Sequence, residues 1–497
     1  MNYIARVVRV MLAVLILLLT ACSSSATPTD TPTSPNVPTS PNVPTSAPTD
    51  SPPALTATTT RMLSAPTASP VAPAASATLA DGPWLLISTD EGFWAVNPDG
   101  SGLTQLPISS APHADVVPRG GRVAFITTTG PQNLGLALSL LSLPAGDVRS
   151  LAPLTSSATE PKSLVTQGEN AYRAIIEGNS LAWSPDESQL AFVGAADGPT
   201  SDLYVYSLAD ERITRLTDGP SQAIRPSWSP DGAYIVHTGV SSLGSGAGYS
   251  MEGVWAARAD DSGVETLYPI PPGSGDEVLV AWTSATAFLV YTWNMGDGPS
   301  DLRTVDVETQ EVALLWGDRF TDVVLDPASG NLLLAMNEYA ADANPGRGKG
   351  LFLIQPGQDA SWLAEVDVRQ MVWSPKAGLF FVQGDNGVWA ITPDGQVEEL
   401  PAPVVALPSV SPNGRRWAFG ETDFRGQPGL WVGDLKQEPR QVFSGSANHL
   451  AWGPEGECLL FFGADGLHAA HSPDFVPVLV GEGLHARSTV WVWPGGD

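Results

Sequence analysis

Two short acidic loops carry the first residues whose types and spacing could do chemistry. Asp197-Gly198-Pro199-Thr200-Ser201-Asp202 and Asp297-Gly298-Pro299-Ser300-Asp301 place a carboxylate at each end of a tight loop. Paired carboxylates and loop carbonyls are hard oxygen donors, the set that Ca²⁺ prefers. Asp-Gly-Pro is also a turn former in its own right, and two carboxylates per loop are few for a divalent ion. Ca²⁺ is thus the one ion these loops could take, and otherwise no cofactor or metal is expected.

A second group lies near the C-terminus, where His468, His471, His485 and Cys458 begin an inventory of metal ligands. Three residues is an odd step on a strand of period two, so His468 and His471 should point to opposite faces. A metal shared between them is not expected. Two aromatic residues in irregular stretches, Tyr249 and Trp293, could stack on a sugar or grip a peptide. With Asp197, Asp202, Asp297 and Asp301 they form the candidate binding set. No Gly-x-Ser-x-Gly elbow, Walker loop, His-Glu-x-x-His or dinucleotide fingerprint occurs. No catalytic residue is assigned, and a protein that is not an enzyme is expected.

These residues need a scaffold, and the chain repeats one. Leu181-Ala182-Trp183-Ser184-Pro185-Asp186 leads into the apolar run Gln189-Leu190-Ala191-Phe192-Val193-Gly194. The pattern returns as Pro226-Ser227-Trp228-Ser229-Pro230-Asp231-Gly232 followed by Tyr234-Ile235-Val236-His237. An apolar run, a Pro-Asp-Gly turn and a second apolar run read as a β-hairpin, because Pro presets φ and Gly supplies a positive one. The anchor slot recurs at Val117, Trp183, Trp228, Trp282, Val324, Trp373, Val410, Trp452 and Trp491, from Trp183 onward at intervals of 37 to 54 residues. Four short apolar runs per unit at that period predict an all-β chain, a single β-propeller of four-stranded blades. Nine anchors give nine blades; seven or eight remain open, since the units at Val117 and Val324 match the repeat most weakly.

The two ends complement each other. Residues 84–106 supply a second, third and fourth strand but no first, while 489–493 supply a first strand with no successors. Pairing them closes the ring without a disulfide and removes both sheet edges. Turns between first and second strands, and between third and fourth, are short and stereotyped. The other connections carry the extra length: 155–178, 240–253, 269–277, 294–300 and 339–350. Long loops on a rigid scaffold are where binding sits, which points to that face and to blades two to five.

The N-terminus reads as an address. Arg6 and Arg9 precede the apolar stretch 10–19, which ends in Leu19-Thr20-Ala21-Cys22. That ending resembles the bacterial lipobox, a resemblance that implies cleavage before Cys22 and lipidation of its thiol. Residues 1–21 would then be a lipoprotein signal peptide, and 22–80 a disordered Ser/Thr/Pro-rich tether. The propeller would occupy 81–497. Such a tether cannot bury enough apolar surface to offset its ordering entropy. A formal charge of -28 repels phosphate backbones, so nucleic acid is not an expected partner.

The Trp-Ser-Pro-Asp-Gly turns, with Arg215-Leu216-Thr217-Asp218-Gly219 before one of them, resemble the TolB-type β-propeller repeat, a relative of the WD-repeat class. The resemblance runs over about 81–497 and is specific for fold rather than function. Similar repeats serve protein-interaction platforms, cap proteases and form polysaccharide lyases. The expectation is a monomeric, membrane-anchored lipoprotein on the extracytoplasmic face. Its propeller would be a non-catalytic platform binding an envelope or extracellular protein or a polysaccharide. The alternative is a metal-dependent polysaccharide lyase or hydrolase with its site at the channel mouth. A convergence of His237, or of acidic residues from several blades, would favour it.

Overall fold

The structure is a computed structural model. It describes residues 79–108, 116–130, 135–156, 170–241, 250–260, 264–269, 276–294, 298–343, 348–401, 406–420, 428–434 and 437–495. Nine antiparallel sheets of four strands follow one another along the chain. In blade 3 the strands are Leu181–Trp183, Gln189–Gly194, Asp202–Ser207 and Arg212–Arg215. The first strands of neighbouring blades touch one another and form the inner ring. The fold is a nine-bladed β-propeller.

The units at Val117 and Val324 are complete blades. Blade 2 has Val116–Arg119, Arg122–Thr129, Gly135–Ser142 and Asp147–Pro153. Blade 6 has Asp322–Leu325, Leu332–Met336, Gly350–Ile354 and Ser361–Ala364. The ring closes as the sequence implies. Ser488–Val492 is the inner strand of blade 1 and pairs antiparallel with Trp84–Thr89, Leu85 opposite Trp491.

Both faces of each blade are buried against neighbours, so the second strands are continuous apolar runs rather than alternating ones. In Cys458–Gly463, Cys458, Leu460 and Phe462 pack toward blade 1, while Leu459 and Phe461 pack toward blade 8. Every interface between adjacent blades has such an apolar cluster. The anchor tryptophans add a polar stitch. The indole N–H of Trp183 donates to the Val117 carbonyl at 3.0 Å, and that of Trp228 to Ala182 at 2.9 Å. Trp452 repeats this toward Ser409 at 2.9 Å, so each indole ties its blade to the inner strand of the one before.

The Ser-Pro-Asp-Gly turn is held by its own side chains. Asp231 accepts hydrogen bonds from the Ser229 hydroxyl at 2.6 Å and the Ala233 amide at 3.1 Å, and Gly232 takes φ +75°. The donors lower the Asp231 pKa. The long-loop end is closed differently. A Cβ on Gly239 would lie 1.4 Å from the Trp255 ring, so that strand end must be Gly for the indole to lie flat upon it.

Two of the long connections are not plain loops. Residues Asn170–Glu177 form a helix whose Ala171, Tyr172 and Ile175 join the core between blades 2 and 3, while Ala174 packs on Ile224 and Val240 of blade 4. Glu338–Ala343 is a short helix, capped by the Asn337 side chain accepting from the Ala340 amide at 2.9 Å.

Candidate functional site

The acidic loop of blade 3 is organised around an arginine. Arg215, at the end of the fourth strand, donates through Nη2 to Asp202 at 2.6 Å and Asp218 at 2.7 Å. Its Nη1 reaches Asp197 at 3.2 Å and its Nε the Thr217 carbonyl at 2.7 Å. Asp202 is 1% exposed and also accepts from the Thr217 hydroxyl at 3.0 Å. Tyr204 donates its phenol to Asp197. Both loop carboxylates therefore face a guanidinium. Burial pushes Asp202 up to about 6 against the pull of Arg215, and burial beside Asp197 raises the Tyr204 phenol.

The matching loop of blade 5 is built another way. Asp301 sits in a bulge of Gly298–Asp306 with φ +52°, and its side chain is 40% exposed. The arginine is Arg303, on the same strand, and it turns inward to Glu277 at 3.2 Å and the Thr292 hydroxyl at 2.8 Å. Thr292 donates in turn to Glu277 at 2.8 Å. Asp301 lies 3.8 Å from the same guanidinium. Glu277 is 2% exposed, and among the described residues its Oε2 has no hydrogen-bond partner. Asp297 and Tyr249 fall outside the described residues, as does Cys22.

Between these loops and the inner ring lies a convergence that motif reading misses. Tyr291 and Trp293 are two residues apart on Ala287–Asn294 and share one face of blade 5. Trp293 is 43% exposed at the rim, and Tyr291 packs edge-on against Phe320 with ring centroids 5.5 Å apart. Asp322 opens the inner strand of blade 6, and Arg225 stands on that of blade 4 at a bulge with φ +54°. Burial raises the Tyr291 phenol, Asp322 raises it further and Arg225 lowers it, so the three groups share one electrostatic neighbourhood. Burial also raises the Asp322 carboxyl, against backbone hydrogen bonds from Val323 and Met371. Tyr291 thus feels a charged group from the blade on each side, and the Asp322 carboxyl itself meets blade 7 through the Met371 amide.

A carboxyl whose pKa is raised can hold a proton to deliver, and an arginine near the same phenol can steady developing negative charge. A phenol and an exposed indole add a hydrogen-bond donor and a stacking surface. These residues carry no linear motif because each comes from a different repeat. The one sequence signal is a charge on an inner strand, and Arg119, Asp276, Glu277 and Arg369 share it, so it does not single out Asp322 and Arg225.

The remaining candidates separate. Cys458 and His471 are cross-strand partners with Sγ and Nε2 3.9 Å apart. His468 points the other way, bonding Asp465 at 2.7 Å and stacking on Phe461. Burial pushes the Cys458 thiol up to about 12, so the thiol stays protonated. His237 is buried in blade 4, stacked on Trp255, with burial pushing it down to about 4. Among the described residues no three of His, Cys, Asp and Glu gather as a metal site.

No family model matches the chain. An uncharacterized protein of Agrobacterium fabrum is 31% identical over 136 residues, 26% of this chain and 40% of that one. The uncharacterized peptidase YuxL of Bacillus subtilis is 42% identical over 113 residues, 19% of this chain and 17% of that one. The chain spans less than half the length of either. A eukaryotic initiation factor superposes on 84% of this chain and 99% of its own, with 14% identity and a TM-score of 0.53. Dipeptidyl peptidase 4 of Porphyromonas gingivalis has 10% identity, 80% and 65% coverage and a TM-score of 0.46. A TolB-type protein of Agrobacterium tumefaciens has 20% identity, 48% and 79% coverage and a TM-score of 0.30. At these identities the structural likeness is one of fold.

The expectation of a protein that is not an enzyme is corrected. A segment of 113 residues is shared with a protein named an uncharacterized peptidase, and that finding overturns the expectation. The expectation had rested on missing linear motifs, and a propeller assembles a site from distant repeats, so that absence excludes nothing.

Proposed function

We propose that the chain acts as a hydrolase of polypeptides, with the substrate received at the long-loop mouth of the channel. The observation that carries this reading is that Tyr291 lies within electrostatic reach of both Arg225 and the buried Asp322, from the blades on either side of it. The segment shared with YuxL supports a peptidase over other hydrolases. In this reading an extended chain lies across Trp293, and water adds to a carbonyl whose developing oxyanion faces Arg225 and Tyr291. The C–N bond breaks as Asp322 gives its proton to the leaving amine, and the carboxylate regains a proton from the added water. The lipobox-like Leu19-Thr20-Ala21-Cys22 and the Ser/Thr/Pro-rich stretch 22–80 support a chain held outside the membrane by a lipid on Cys22.

The test is to incubate the full chain with unfolded protein substrates and read new N-termini by mass spectrometry. Cleavage is expected, and Asp322→Asn should slow it by about a hundredfold, the order that removal of one general acid produces. Intact peptides beside cleavage of an acidic polysaccharide would overturn the peptidase reading and move the site to the polysaccharide alternative.

A further inference from the structure

The channel has a second end, on the face of the short turns, and a cavity of about 310 Å³ opens there. It is lined by Lys376, Ser409, Val410, Leu450, Thr489 and Trp491, with the buried Trp452 and Leu85 behind them. Most of these residues lie on the inner strands of blades 8, 9 and 1. The lining side chains are aliphatic, indole and hydroxyl with a single charge, polar atoms make up the larger part of the exposed wall, and the cavity is open to solvent. The volume sits at the lower end of the range for small-molecule pockets.

The charge is out of place in its repeat. Lys376 occupies the turn slot held by Asp186, Asp231, Asn413 and Glu455 in blades 3, 4, 8 and 9. In three of those blades the slot residue locks the turn by accepting from a hydroxyl: Asp186 from Ser184 and Asp231 from Ser229 at 2.6 Å, Asn413 from Ser411 at 2.8 Å. An ammonium cannot accept, and in blade 7 it is the Ser374 hydroxyl that takes the Ala377 amide, at 3.4 Å. The repeat gives up its usual turn lock here and gains a cation at the rim of the cavity. Among the described residues Lys376 is in no ion pair, unlike Lys349, which faces Glu365 and Asp367.

The rim is also fixed in place. A Cβ on Gly414 would come within 2.6 Å of the Lys376 carbonyl oxygen, so the turn of blade 8 rests directly on the Lys376 backbone. The Asn413 side chain donates to the Glu455 carbonyl at 2.8 Å and carries the interlock on to blade 9.

We propose that this cavity binds a carboxylate attached to one apolar group, about the size of a single aliphatic amino-acid residue. The carboxylate pairs with Lys376 beside Ser409 and Thr489, and the apolar part lies against Leu450, Val410 and Trp491. On a chain of net charge -28, this exposed lysine without an ion pair among the described residues gives an anion a local cation to approach. The proposal does not rest on the hydrolase reading, since it concerns the opposite end of the channel. A free monocarboxylate and a peptide C-terminus share the required chemistry.

The test is calorimetric titration of the full chain at low salt with N-acetyl-leucine, with its uncharged amide, and with a short peptide ending in leucine. One-to-one binding of the acid is expected, with the amide weaker by about tenfold or more for loss of the charge-assisted contact. Lys376→Asp restores the residue type of the other turns, so it should fold with an unchanged or higher melting temperature and lose the acid. Binding of the peptide with a free carboxylate assigns the site to chain ends, and binding of the acid alone assigns it to small monocarboxylates. Equal affinity for acid and amide, no binding of either, or wild-type affinity in Lys376→Asp would overturn the proposal.

Discussion

Blades 3 and 5 carry nearly the same acidic loop, yet fold it around different charges. In blade 3 the loop aspartates turn inward, and Asp202 is sealed against Arg215, which comes from the outer strand. In blade 5 a bulge puts Asp301 in the left-handed region and toward solvent, and the sealed carboxylate is Glu277, from the inner strand. One added residue in a strand moves which side chain is buried. The lesson is that Asp-Gly-Pro specifies a turn, while the register beyond it decides what the carboxylates do.

The comparison breaks most readily at Arg215. Arg215→Ala strands Asp202 and Asp197 without their cation and should cost about 3–5 kcal/mol in chemical denaturation, the usual consequence of unpairing a buried charge. Arg303→Ala is the matched change in blade 5. Glu277 keeps the Thr292 hydroxyl, so about 1.5–3 kcal/mol is expected. Equal losses at both sites would mean that the two loops are the same device after all.

A pH series sharpens the contrast further. Asp202 ionises near 3.8 when unfolded and near 6 when folded, so between these values the folded chain binds more protons. Its contribution to stability is full below 3.8 and is lost as pH rises through 6. Asp202→Asn should flatten that fall in melts taken from pH 4 to pH 7. The smallest effect belongs to Asp301→Asn, within about 0.5 kcal/mol, since the side chain is solvated and Asn accepts a positive φ.

The fold was legible because its signals repeat. Trp183, Trp228 and Trp452 stand at one structural position, and the partnering of 84–89 with 488–492 follows from counting strands at each end. The helix Asn170–Glu177 was hidden because two turns of Ala, Tyr and Ile in a long connection look like loop until blades 2 to 4 supply the surface they cover. The candidate site was hidden for a different reason. Arg225, Tyr291 and Asp322 acquire meaning only when three repeats bend around one axis, and no local pattern records that proximity. The Asp197–Asp202 loop shows the converse. Its carboxylate spacing suits an ion, but an arginine thirteen positions after Asp202 occupies the same oxygens.

The central claim is that Asp322 delivers a proton at the channel mouth. The most direct measurement is the pH–rate profile of peptide hydrolysis by the full chain and by Asp322→Asn. The account predicts a wild-type rate that falls as pH rises through the raised pKa of Asp322, because only the protonated carboxyl serves. In Asp322→Asn that limb should vanish together with about 99% of the rate. A variant that cleaves at the wild-type rate with the same profile would contradict the assignment.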